Sequence, residues 1–318
     1  MKNILISIPG IGNEHRKILS EAAGENAVRF MKPSEVLQSD ADWADIIIGN
    51  LPPRFFSSRY IELMQLSTAG ADLYVAEGVL DHSSLLACCT GAYSQSVAEH
   101  SFAATLMLQK NLHLYRDSQS ACSWTDAGEV GTINGATVIV VGLGDIGKYY
   151  ARMVKALGAY VIGVNRRGGE KPEYVDELYT TDSFDKIAGR GDIIFSVMPS
   201  TPQTVHFYTE ERFALMKPTA IFINSGRGSA VSEQTLYNVL SKKVIACAAV
   251  DVLEREPLPS DSPLWGLKNL LITPHASGDY HLPSNRDKVV AICSRNLKAY
   301  LSGQPLINVV DFASGYKK

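Results

Sequence analysis

Gly142, Gly144 and Gly147 stand at the spacing G-x-G-x-x-G, directly after the apolar run Val138-Ile139-Val140-Val141. A helical stretch from Lys148 to Leu157 follows and is stopped by Gly158. The run reads as a buried strand, and a strand, a glycine turn and a helix in that order bind the pyrophosphate of a dinucleotide. Gly142 allows the tight turn, Gly144 lets the backbone approach the phosphates, and Gly147 lets helix and strand pack closely. With Asp145 and Ile146 between them, these residues are the expected phosphate contacts at the positive end of the helix.

A second apolar run, Tyr160-Val161-Ile162-Gly163-Val164, ends in Asn165-Arg166-Arg167. An acidic residue about 20 positions after the glycines marks the sites that hold the ribose hydroxyls of NAD. No carboxylate stands at this strand end, and two guanidiniums do. Arginine grips phosphate bidentately, so Asn165, Arg166 and Arg167 favour a cofactor with a 2′-phosphate, NADP(H), and leave NAD(H) as the alternative. A third run, Ala220 to Asn224, delivers Ser225, Gly226 and Arg227 to its carboxyl end, with Gly228 beyond. Ligands of doubly wound sheets bind at such ends, and a cation there can hold an anionic substrate. Two further stretches, Ala248 to Pro259 and Leu271 to Gly278, carry Asp251, Glu256 and His275 past the ends of hydrophobic runs. An early Pro9-Gly10-Ile11-Gly12 has His15 at the third glycine position and reads as a βα turn without nucleotide.

These residues need strands and helices in alternation to bring them together. Strand patterns lie near Asn3–Ile8, Asp45–Gly49, Met64–Ser67 and Leu85–Cys88, with a weaker one at Ala27–Phe30. Residues 99 to 116 have a helical pattern. A second series follows at Thr137–Val141, Tyr160–Val164, Asp192–Val197, Ala220–Asn224, Val244–Val250 and Leu270–Thr273, six strands for one doubly wound sheet. Pro283 to Leu301 is a final helix, opened by proline and closed before Gly303. The fold class is therefore α/β with parallel sheets.

The 318 residues are 46% hydrophobic and 20% charged, with a net charge of −3. That balance gives no reason to expect nucleic acid as a partner. No apolar run approaches the roughly 18 residues that cross a bilayer, so no membrane segment is expected. The apolar start Ile4–Ile8 is broken by Pro9-Gly10 and reads as a first strand rather than a leader. Cys88, Cys89, Cys122, Cys247 and Cys293 are odd in number and form no C-x-x-C, which suits reduced thiols in a cytoplasmic protein. No His, Cys or carboxylate cluster has the spacing of a metal site.

Several motifs in order make the chain resemble the D-isomer-specific 2-hydroxyacid dehydrogenase family. They are Ser67-Thr68-Ala69-Gly70-Ala71-Asp72, Val97-Ala98-Glu99-His100, the glycine turn, Pro199-Ser200-Thr201-Pro202-Gln203-Thr204, and the stretches around Arg227, Glu256 and His275. The resemblance implies two Rossmann-like or flavodoxin-like domains with doubly wound parallel sheets. The cofactor domain, 99–282, would be inserted into a catalytic domain of 1–98 plus 283–318, with the active site in the cleft. It implies NAD(P)-dependent reduction of a small 2-oxo acid to the D-2-hydroxy acid. His275 would give the proton. Glu256 would pair with His275 and favour its protonated form, and the Glu-Pro-Leu-Pro context selects it over Glu254. Arg227 would bind the substrate carboxylate and polarise the carbonyl. The backbone N–H groups of Ala69 and Gly70 would complete carboxylate binding. Asp251 would accept from the nicotinamide carboxamide, or else cap a loop. Pro199, Thr201, Thr204, Ser225, Gly226 and His275 would line the cofactor. The family is commonly dimeric through the cofactor domain, with the Leu106–Tyr115 helix and Cys122-Ser123-Trp124 as the expected contact.

Substrate choice is expected in loops near Gly49–Arg54, Ala69–Asp72, Ala92–Gln95 and Ser277–Leu282, with Tyr93 and Tyr280 shaping the pocket. Arg54 is the only cation in the first loop. That ranks glyoxylate, hydroxypyruvate or a short branched 2-oxo acid above a phosphorylated substrate. The alternatives are an NAD-linked dehydrogenase of the phosphoglycerate type and a nucleotide-sensing, corepressor-like binding protein.

Overall fold

The structure, a computed structural model, describes residues 1–278 and 282–317. Tyr280 and its neighbours 279 and 281, half of the 277–282 loop expected to set substrate choice, lie outside the described residues. The chain divides into two compact units, Met1–Tyr93 with Asp279–Lys318, and Ser94–Gly278.

The first unit is built on a five-stranded sheet of β1 (Asn3–Ser7), β2 (Ala27–Phe30), β3 (Ile46–Gly49), β4 (Leu63–Gln65) and β5 (Leu85–Ala87). The order is β2-β1-β3-β4-β5 and every pair is parallel. This is the flavodoxin-like order, doubly wound about β1. Strands covered on both faces must be apolar throughout, and Ile46, Ile47 and Ile48 are all fully buried. On one face Leu5, Ile47, Met64 and Leu86 join Phe55, Phe56 and Tyr74 in a single apolar cluster. The helix Asn13–Ala23 packs against the helix Pro283–Leu301.

The second unit carries a seven-stranded sheet of β6 (Thr137–Val141), β7 (Tyr160–Asn165), β8 (Glu177–Thr180), β9 (Ile193–Ser196), β10 (Ile221–Asn224), β11 (Cys247–Val250) and β12 (Leu270–Ile272). Its order is β12-β11-β10-β9-β6-β7-β8, again parallel throughout. That is the Rossmann order with one strand added beyond the sixth, and it reverses between β6 and β9. Apolar clusters cover both faces. One is centred on Ile139, Ile162, Ile194 and Phe222, the other on Val138, Val140, Phe195 and Ile223.

The sheet has one strand more than the sequence predicted. All four residues of β8 are only half buried, and Glu177 and Thr180 are polar, so no hydrophobic run announces it. It is an edge strand, and the Arg190 guanidinium caps it through Glu177. The expected helix over 99–116 is two helices, Ser94–Gln109 and Leu112–Ser120. They break at Asn111, which takes φ 54°. Asparagine tolerates that left-handed backbone, and its amide donates to the carbonyls of Ala127 and Glu129. Among the described residues no helix is long and apolar enough to cross a membrane.

Candidate active site

The carboxyl ends of the second unit's strands gather the chemistry. The helix Asp145–Ala156 begins immediately after Gly144, three residues earlier than the sequence suggested. Gly142 turns at φ 103°, and its N–H donates to the Val164 carbonyl at 2.9 Å. A Cβ on Gly147 would stand 2.3 Å from the Gly142 carbonyl oxygen, so only glycine lets the helix start this close to β6. The first N–H groups of a helix have no carbonyl partner within it. An open cradle of this kind, with the positive end of the helix behind it, fits a pyrophosphate.

At the end of β7 the Asn165 side chain closes a turn. Its amide donates to the Gly168 carbonyl at 2.9 Å, and its carbonyl accepts from the Gly168 N–H at 2.6 Å. Arg166 and Arg167 project from that turn, both exposed, and neither forms an ion pair among the described residues. Past β9, the Thr204 hydroxyl donates to the Pro199 carbonyl and accepts from the Thr201 N–H, at 2.7 and 2.8 Å. The 199–204 turn is thereby fixed.

At the end of β10, the buried Asn224 holds the turn that presents Arg227. Its amide donates to the Arg227 carbonyl at 3.1 Å, and its carbonyl accepts from the Gly226 N–H at 3.2 Å. Ser225 is buried and accepts from the Ser101 hydroxyl at 2.9 Å. A Cβ on Gly228 would meet the Leu253 carbonyl at 1.9 Å. The glycine after Arg227 therefore exists for the close approach of the β11 loop.

That loop and the one past β12 hold the histidine. His275 Nδ1 lies 2.7 Å from Glu256 Oε2, while Glu256 Oε1 accepts from the Leu253 N–H at 2.9 Å. Nδ1–H donates to the carboxylate, which leaves Nε2 on the opposite edge without a partner among the described residues. The His275 side chain is 55% exposed. Glu254, the competing glutamate, faces His206 instead at 2.5 Å. The His275 backbone sits at φ 52°, a left-handed conformation that costs a non-glycine residue about 1 kcal/mol.

Asp251 is what holds it there. This carboxylate is 3% exposed. It accepts from the Thr273 hydroxyl at 2.6 Å, the Ala276 N–H at 2.9 Å and the Ser277 N–H at 3.1 Å. The His275 N–H donates to the Asp251 backbone carbonyl at 2.8 Å. Burial by itself would push the Asp251 carboxyl up. The hydrogen bonds from Ser277, Thr273 and Ala276 outweigh it and hold the group below the usual aspartate value. Both oxygens are thus spent on the loop that carries His275. His100, Nε2 3.0 Å from the Thr273 hydroxyl, braces the same network. Thr273, Ser277 and His100 were not singled out from the sequence for these contacts, because each works through a partner distant along the chain; Asn224, whose partners are two and three residues on, reads in sequence as the polar end of a strand.

Ala69 and Gly70 belong to the first unit, in the loop after β4. Among the described residues their N–H groups donate no hydrogen bond. No group of three or more His, Cys, Asp or Glu side chains among the described residues is arranged to hold a metal.

A Rossmann sheet with a glycine cradle, and a histidine–carboxylate pair beside an arginine at its strand ends, defines a nicotinamide-dinucleotide oxidoreductase. Residues 102–277 match the family described as D-isomer specific 2-hydroxyacid dehydrogenase, NAD binding domain. A D-isomer specific 2-hydroxyacid dehydrogenase family protein of Aeromonas salmonicida is 32% identical, covers 98% of this chain and 99% of its own, and superposes with a TM-score of 0.83. The NADPH-dependent glyoxylate/hydroxypyruvate reductase of Sinorhizobium meliloti, solved with NADP and sulfate, is 25% identical. It covers 99% of this chain and 100% of its own, at a TM-score of 0.84. The D-3-phosphoglycerate dehydrogenase of Methanocaldococcus jannaschii is 29% identical over 98% of this chain but only 60% of its own length. The chain belongs to the D-isomer-specific 2-hydroxyacid dehydrogenase family. It is an NAD(P)-dependent oxidoreductase acting on CH–OH groups.

Proposed function

We propose that the chain uses NADPH to reduce a small, unphosphorylated 2-oxo acid, such as glyoxylate, hydroxypyruvate or a short branched 2-oxo acid, to the D-2-hydroxy acid. The observation that carries this reading is the His275–Glu256 pair at 2.7 Å, with Arg227 on the neighbouring strand end. When bound, the nicotinamide supplies the hydride. Arg227 holds the substrate carboxylate and polarises the carbonyl, and the free N–H groups of Ala69 and Gly70 take the carboxylate's remaining lone pairs. His275 gives the Nε2 proton to the carbonyl oxygen as the hydride reaches carbon. Glu256 keeps Nδ1–H in place, so the ring stays oriented as it passes from imidazolium to imidazole. The exposed imidazole regains its proton from solvent. Asp251 acts as the anchor of the His275 loop.

Arg166 and Arg167 support NADPH, because two exposed guanidiniums stand at the strand end where a carboxylate would favour NADH. A cell that keeps NADPH reduced then drives the reaction from oxo acid to hydroxy acid. The first loop supports a small substrate. It holds one cation, Arg54, where a phosphorylated substrate would call for strong basic anchoring. The expected dimer would use the exposed Leu112, Tyr115 and Trp124.

The test compares initial rates of NADPH and NADH oxidation across glyoxylate, hydroxypyruvate, pyruvate and branched 2-oxo acids. Turnover is expected with NADPH, falling about 10²- to 10⁴-fold in His275→Gln with cofactor binding retained. Faster turnover with NAD and 3-phosphoglycerate would replace this reading by the phosphoglycerate type. Tight cofactor binding without any turnover would replace it by a nucleotide sensor.

A further inference from the structure

The Ser67–Gly70 loop is tied down through its side chains and carbonyls, while a run of its N–H groups is left unused. The Ser67 N–H and hydroxyl both donate to Asn50 Oδ1, at 2.9 and 2.8 Å. The Asn50 amide donates to the Thr68 hydroxyl at 2.9 Å, and that hydroxyl donates to the Gly70 carbonyl at 3.0 Å. The Tyr93 hydroxyl donates to the Ser67 carbonyl at 2.7 Å, and the Cys89 N–H to the Thr68 carbonyl at 2.8 Å. Among the described residues the N–H groups of Thr68, Ala69 and Gly70 remain undonated, three in succession.

Asn50 is the one side chain in this network that reaches both ends of the turn. It follows β3 directly, so its backbone is fixed by a strand whose four residues are buried. Its carbonyl oxygen gathers two donors from Ser67, and its amide nitrogen sets the Thr68 hydroxyl, which fixes the carbonyl of Gly70. An aspartate could accept but not donate, and a serine has no second end. A planar amide with one acceptor face and one donor face matches what the turn requires.

We propose that Asn50 is a positioning residue for the substrate carboxylate. Through Ser67 and Thr68 it aims the N–H groups of Ala69 and Gly70, and so sets affinity for the 2-oxo acid without touching the cofactor or the proton donor. This rests on the 2-oxo acid reading above. The loss of Asn50 loosens the N–H pair and weakens carboxylate binding in ground and transition states alike. The effect therefore falls on KM rather than kcat.

The experiment measures KM, kcat, NADPH affinity and competitive inhibition by oxalate in Asn50→Ala, Asn50→Asp, Thr68→Val and Thr68→Ser. Asn50→Ala and Thr68→Val should raise KM and the oxalate inhibition constant together, each by about tenfold, with kcat changed less than about threefold and NADPH affinity unchanged. Asn50→Asp should be worse, because it adds a negative charge beside the carboxylate. Thr68→Ser keeps the hydroxyl and should recover the wild-type values. If Asn50→Ala does not fold, the two Thr68 variants carry the test. Active variants whose KM and oxalate inhibition stay within about twofold of wild type would overturn this inference alone. A wild type that reduces no 2-oxo acid would overturn the functional reading and this inference with it.

Discussion

A histidine in left-handed backbone geometry is held only if its surroundings insist on it. For His275 the insistence comes from Asp251, whose two oxygens collect a hydroxyl and two N–H groups from the residues on either side. Because the folded carboxyl titrates below the usual aspartate value, Asp251 contributes stability at every pH above about 4. The contribution is lost as pH falls through the lower folded value. In Asp251→Asn whichever oxygen is replaced by the amide nitrogen leaves one N–H, that of Ala276 or of Ser277, facing a donor that cannot accept from it. That variant should melt lower than wild type at neutral pH, and the gap should narrow toward pH 3 in a series of thermal melts. A gap that stays constant across the series would mean that the anchor does not depend on charge. Arg227 and His275 stood out in the sequence because each lies just past the end of a hydrophobic strand, beside glycine or proline, and Glu256 because of the Glu-Pro-Leu-Pro context that carries the family resemblance. For Asp251 the sequence left a cofactor contact and a loop cap both open, and the partners that make it a loop anchor were not visible there. Hydrogen bonds between loops some twenty residues apart leave no periodic signal. The same holds for Asn50, a polar residue beside a strand end that a sequence reads as ordinary loop.

Elements were legible in proportion to the burial of their residues. β6, β9 and β10 each carry a run of at least three fully or nearly fully buried apolar residues, and the pattern found them. β8 is half buried at the sheet edge and escaped it. The Pro283–Leu301 helix was legible to the residue because proline and glycine mark its ends. The junction that matters most for function is the one between β6 and the Asp145–Ala156 helix. Gly147→Ala would put a methyl group 2.3 Å from the Gly142 carbonyl, a backbone atom that cannot rotate away. The helix must then shift, and overpacking of this sort costs about 1–3 kcal/mol. The helix N-terminus leaves the phosphate position as it moves. Both a lower melting temperature and a loss of NADPH binding are expected, to be read by calorimetry and fluorescence titration on the same preparation. Normal NADPH affinity in this variant would show that the close contact is not what positions the helix end.

At the scale of the whole molecule, every residue proposed to hold the cofactor falls in the unit Ser94–Gly278, on one sheet. A ligand that binds only the folded state stabilises it by RT ln(1 + [L]/Kd), about 2.7 kcal/mol at a hundredfold excess over Kd. For a unit of this size, that corresponds to a rise of roughly 5–10 °C in melting temperature. The rise should belong to the transition of this unit, and scanning calorimetry will resolve it if the two units melt apart. NADPH and NADH differ by one phosphate, so the difference between their shifts isolates whatever grips that phosphate. Replacing Arg166 and Arg167 together with alanine should bring the NADPH shift down to the NADH shift, and leave the NADH shift where it was. Each arginine is exposed, so the replacement should not alter the melting temperature of the protein without cofactor. Equal shifts from both cofactors in the wild type would remove the arginine pair from the site. The preference for NADPH, and the reductive direction that follows from it, would go with it.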